Sequence, residues 1–221
     1  MTQVWAALRK DLWLQWRTRF HAGAVLAYGA TALLLFSFTV GPDARALRAQ
    51  AAGFLWAGLL FASLLALAAS FAAEVEDDAL EGLLLLPVRP WAIYLGKAVS
   101  NWLLLTVLGL GLVPLMVALY DAGTTRLAPL SLVIVLGAAG LSAPGTFYAG
   151  LTSQVRAQQL LLPLLLLPLV VPVLLASVKA TSLLLMGDPM DQLESWLWLL
   201  AGFNGVFWPL CGALFGAVVE D

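Results

Sequence analysis

Four carboxylates recur at helical spacing in one short stretch. Glu74, Asp77, Asp78 and Glu81 fall at i, i+3, i+4 and i+7, which is one face of a helix. With Glu76 they put five of the 13 acidic residues within eight positions. Val75, Ala79, Leu80, Leu83 and Leu86 line the other side, and Pro87 and Pro90 end the pattern, because proline lacks the N–H a helix interior needs. Like charges one turn apart disfavour an isolated helix by about 0.2–0.5 kcal/mol per pair. A basic groove on a partner would compensate, and docking to such a partner is the preferred reading. A solvated acidic turn and a carboxylate metal site compete with it; the second lacks the ligand order of a calcium loop. Other reactive types are scarce. The single histidine, His21, and single cysteine, Cys211, lie at opposite ends of the chain. No catalytic nucleophile–base pair, zinc ligand set or internal disulfide is expected from them.

The surroundings of that stretch are of a different kind. Hydrophobic types make up 62% of the 221 residues and charged types 11%, with mean hydropathy +0.95. Soluble domains are typically about 45–50% apolar and about 25% charged. Composition therefore places the chain in a membrane, and a net charge of −2 without a basic stripe excludes nucleic acid as a partner.

Six apolar runs are long enough to cross a bilayer, which takes about 20 residues. They lie at about 22–41, 52–73, 98–120, 128–151, 159–177 and 196–219. Backbone in lipid must satisfy its own hydrogen bonds, so the runs read as helices. Pro114, Pro144, Pro163, Pro168, Pro172 and Pro209 fall inside them. The connections are expected at 42–51, 74–97, 121–127, 152–158 and 178–195, and no charge is expected deep within a span. The first run begins only near Ala22, so it is expected to stay as an anchor rather than be cleaved. Six crossings put both termini on one side. Arg9, Lys10, Arg17, Arg19, Arg89, Lys97 and Arg156 then face Arg45, Arg48, Arg126 and Lys179, seven cations against four. The excess assigns the termini and the acidic stretch to the cytoplasm.

Residues 2–20 read as an interfacial helix. Val4, Leu8, Leu12 and Trp16 share a face that Trp5, Trp13 and Phe20 widen, with Lys10, Asp11 and Arg17 opposite. Arg9 falls within the apolar arc, so the pattern is imperfect, and an ordinary positive flank is the alternative. Tryptophans beside cations suit the headgroup layer. Most of the nine tryptophans are expected in aromatic belts, with Trp91 and Trp102 at the inner boundary and Trp56, Trp196 and Trp198 at the outer one. Gly212 and Gly216 form a Gly-x-x-x-Gly, and Gly137 and Gly140 lie a turn apart; small residues of this kind let helices approach closely. The chain reads as a single domain, 1–221.

The stretch from Phe71 to Pro87 resembles the loop of the CcmB family of haem exporter permeases. That family carries phenylalanine, acids, a small residue, then Leu-Glu-x-Leu-Leu and proline. The chain shows Phe71, Glu74, Glu76, Asp77, Asp78, Leu80, Glu81, Gly82, Leu83, Leu84, Leu85 and Pro87. It departs from the pattern in having Asp77-Asp78 for the usual Asp-Gly, and Pro87-Val88-Arg89-Pro90 for the usual Pro-Leu-Pro. The resemblance extends over most of the chain, including the Arg9-Lys10-Asp11-Leu12 start. It implies an all-α membrane protein of the ABC-2-type permease class, with an N-terminal interfacial helix and a cytoplasmic coupling helix. It also implies a role in cytochrome c maturation in the bacterial inner membrane. A separate ATPase, CcmA, would bind ATP and magnesium, and this chain has no Gly-x-x-x-x-Gly-Lys-Ser/Thr loop of its own. The implied companions are CcmC, CcmD, the haem chaperone CcmE and a second permease copy. Haem is the implied cargo, with His21 as a possible ligand and no cofactor expected to be resident. A permease for lipid or drug and a non-transporting scaffold are the alternatives.

Overall fold

A computed structural model of the chain describes residue 9 and residues 19–76, 90–123, 126–153 and 158–219. They form six long helices: α1 Arg19–Val40, α2 Ala44–Glu76, α3 Pro90–Tyr120, α4 Leu127–Thr152, α5 Gln158–Met186 and α6 Leu193–Val219. All six are long and apolar enough to span a bilayer, and no strand occurs among the described residues. The prolines named above sit inside continuous helices, as neighbouring helices in a membrane permit.

The helices outrun the apolar runs. α2 starts at Ala44, so most of the connection expected at 42–51 is helical. α3 starts at Pro90 and takes in the end of the one expected at 74–97. α5 runs on to Met186, and α6 begins at Leu193, so the expected 178–195 connection shrinks to a short turn. A hydropathy run ends where the solvent changes; a helix ends where its hydrogen-bond ladder is interrupted. Gly41, at φ +79°, reverses the chain after α1, a conformation glycine adopts without strain. Asp43 Oδ1 then accepts the N–H groups of Arg45 and Ala46 at 2.9 and 3.3 Å, capping α2.

α4 is the centre of the bundle, packing on α2, α3, α5 and α6. α2 is the second hub, against α1, α3, α4 and α5. α1 and α6 bury the smallest share of their spans. Lipid tails are as apolar as leucine, so helices associate here through close packing and interhelical hydrogen bonds. The side chain of Trp56 illustrates both. It is fully buried, lies against Gly137 of α4, and donates Nε1–H to Thr181 Oγ1 of α5 at 2.9 Å. This corrects its expected place in an outer aromatic belt: a partner 125 residues away satisfies its one polar atom, so the ring can be core. Trp102 is likewise drawn into packing, donating to the Val135 carbonyl at 2.9 Å and meeting Trp208 edge-on. Trp198 and Trp91 stay exposed.

The turn into α6 depends on Asp188. Its carboxylate accepts the N–H groups of Gln192 and Leu193 at 2.9 and 2.8 Å. These bonds hold its pKa below the ordinary value, with a smaller contribution from Arg126. A lowered folded-state pKa means the stabilisation is present above the usual carboxylate range and is lost as pH falls through the lowered value. Asp188→Ala is expected to speed amide exchange at Gln192 and Leu193 at neutral pH. The difference from the parent chain should vanish in strong acid; a difference that persists there would exclude the carboxylate as its cause.

Candidate functional site

The acidic stretch begins inside α2. Glu74 and Glu76 occupy the last turn of that helix, where the macrodipole is negative and an added carboxylate is disfavoured by about 0.3–1 kcal/mol. Asp77, Asp78, Leu80, Glu81, Gly82, Leu83 and Pro87 lie outside the described residues, as do Lys10, Trp13, Trp16 and Arg17 of the expected interfacial helix. Arg9 is helical and exposed. His21 lies in the first turn of α1.

Two turns before the end of α2, a polar cluster joins three helices. Lys97 of α3 is 4% exposed. Its ammonium donates to the Ser70 carbonyl of α2 at 2.6 Å and sits 4.5 Å from the centre of the Phe71 ring. Asn101, one turn further along α3, donates Nδ2–H to Ser70 Oγ at 3.3 Å and to Thr146 Oγ1 of α4 at 3.0 Å. The Tyr94 hydroxyl donates to the Ala143 carbonyl at 2.9 Å and the Ser142 hydroxyl to the Ala98 carbonyl at 2.7 Å. Lys97 is the one charged side chain buried among the described residues.

The sequence places Lys97 at the end of the 74–97 connection; the structure places it inside a helix and buried, though not deep in the span. Because α3 starts at Pro90, Lys97 lies two turns inside the helix and within its membrane-spanning stretch. Lysine at a span's centre costs about 2.5–3.5 kcal/mol on insertion scales. Near a span end the cost is lower, and the Ser70 carbonyl and Phe71 face offset part of it. Nothing in the sequence names those partners, which only the packing of α2 on α3 supplies. Lys179 also falls inside a helix, α5, but is exposed.

The glycines divide. Gly137, Gly140, Gly145 and Gly150 of α4 are points of close approach, facing Trp56, Val173, Leu67 and Phe215, as is Gly109 of α3 against Ile134. Gly212 of α6 meets Tyr94 at an ordinary 3.6 Å, and Gly216 faces open space. With Trp91, Leu95 and Trp208 they line a groove of about 480 Å³ between α3 and α6. Cys211 is buried beside Tyr94, Phe147 and Phe215.

Six apolar helices in one bundle, each long enough to cross a bilayer, define a multi-pass helical membrane protein. The family model of the CcmB protein matches residues 2–219. Heme exporter protein B of Rhodobacter capsulatus is 38% identical over 173 residues, 77% of this chain and 78% of that one. The Paracoccus denitrificans protein of the same name is 36% identical over 190 residues, 85% and 87% of the two chains. That of Bradyrhizobium diazoefficiens is 30% identical over 194 residues, 86% of each. The chain belongs to the CcmB family.

Proposed function

We propose that this chain is the transmembrane subunit of an ABC transporter in cytochrome c maturation. The observation that carries the reading is the family match along nearly the whole chain, together with relatives named heme exporter protein B. The acids at the end of α2 add a physical reason for a partner. They sit where they weaken their own helix, so a basic surface on the ATPase would offset the strain. In this reading CcmA binds and hydrolyses ATP with magnesium, and residues 74–90 receive the motion. Two copies of the chain form one translocation unit, alongside CcmC, CcmD and the chaperone CcmE. Both termini face the cytoplasm of a bacterial inner membrane. The energy serves haem export or release of the haem-loaded chaperone.

Deleting the gene is expected to remove holo-cytochromes c from membranes, scored by haem staining, and a plasmid copy to restore them. The purified complex in liposomes is expected to need ATP for haem or chaperone release. Normal cytochromes in the deletion strain, with altered lipid or drug export, would overturn the haem reading.

A further inference from the structure

Lys97 and Ser70 sit at matched depth. Ser70 lies six residues before the end of α2, and Lys97 seven after the start of α3. At 1.5 Å per residue each lies about 10 Å from its helix end. Between those two ends runs segment 77–89, which carries three of the five acids of the stretch. The Lys97–Ser70 bond is a charge-assisted link between α2 and α3 at this level. Asn101 adds a second link to the same serine and continues to α4. We propose that Lys97 is a positioning residue: its bond to Ser70, seated over Phe71, fixes the separation of the ends of α2 and α3, the two helices that flank the acidic stretch. The proposal rests on the reading of residues 74–90 as the coupling element.

Chemistry separates this role from plain packing. An apolar side chain of similar volume would fill the site with no ammonium to desolvate. A lysine kept there supplies direction and a fixed partner, which an apolar residue does not. Ionisable groups inside spans mark functional positions by default.

The full chain, reconstituted with its ATPase, provides the test. Spin labels at Ala73→Cys and Trp91→Cys, in a Cys211→Ala background, report the distance between the helix ends. Lys97→Met is expected to keep the thermal transition and the ATPase while widening or broadening that distance. ATP-driven turnover should fall about tenfold, the scale set by losing one charged hydrogen bond. Lys97→Arg, which keeps the charge and the donors, is expected to restore both readouts. An unchanged distance in Lys97→Met would overturn the proposal. So would a changed distance with unchanged turnover. If Lys97→Met fails to fold, Phe71→Leu, which removes only the ring beneath the ammonium, must shift the distance the same way; no shift there overturns it equally. Failure of the parent chain to hold the ATPase would instead sink the coupling reading and leave the label distances to judge the tie.

Discussion

Reversing four charges at once, with Glu74→Lys, Asp77→Lys, Asp78→Lys and Glu81→Lys, is expected to abolish copurification of the ATPase and reduce holo-cytochromes c to the level of the deletion strain. The expectation starts from spacing. By spacing alone the four positions would share one face of a helix, and α2 is helical through Glu76. If a basic surface receives that face, every pair changes from attraction to repulsion, and like-charge juxtaposition across an interface costs several kcal/mol. The chain itself should tolerate the change. Lysine is favoured near the C-terminal end of a helix, and added cytoplasmic cations reinforce the proposed orientation rather than invert it. Membrane insertion at parental levels is therefore the control. ATPase retained by the quadruple variant would rule out docking through this face. Single reversals are expected to act weakly, because the remaining carboxylates still present a negative surface.

The second large effect concerns stability. Gly137→Leu is expected to prevent accumulation of folded protein, and Gly137→Ala to destabilise it by about 1–3 kcal/mol, the usual range for overpacking. A Cβ at Gly137 would collide with the ring of Trp56 and reach within 2.6 Å of Ser177 Oγ. The ring has no easy escape. It is 1% exposed, and its Nε1–H is committed to Thr181. Alanine's better helix propensity, about 1 kcal/mol at most, does not offset that clash. Gly202→Ala of α6 is the control, since nothing lies within 4 Å of its added Cβ. Thermal unfolding in detergent compares the two. Trp56→Leu should rescue part of the Gly137→Ala loss, giving the non-additivity that contacting residues show. Additive losses would mean that the indole and the glycine do not share the site.

The bundle could be read in outline because the bilayer imposes it. Each span needs about 20 apolar residues whatever the rest of the fold does, so composition alone locates six of them. Their ends obey a different rule. Lys97 and Arg48 sit on helices whose hydrogen bonding continues past the apolar run, and both find partners far away in sequence. Arg48 donates Nε–H to the Asp121 carbonyl at 2.9 Å and a terminal N–H to its carboxylate at 2.6 Å. A charge count reads both as loop residues. Trp56 misleads in the same manner, since tryptophan is common at membrane boundaries and only Thr181 makes it a core residue. The spacing of Gly137 and Gly140 marks small residues on one helix, but says nothing of which side chain presses on them. The acidic stretch is legible because its signal is local, four carboxylates within two turns of one another.

α2 has 33 residues, about 50 Å of helix at 1.5 Å per residue, against about 30 Å of hydrocarbon. It is a rod held in a slab thinner than itself. Tilting such a rod about the midplane moves its two ends in opposite directions. A change of about ten degrees in its inclination, small beside the usual range of tilts, sweeps a tip about 25 Å from the midplane through about 4 Å. A push of that size on the acidic end would reappear at the opposite end, reversed in direction, where Arg48 holds Asp121. A helix longer than its membrane is thick thus has both ends outside the hydrocarbon, where any change of inclination is felt on both faces at once.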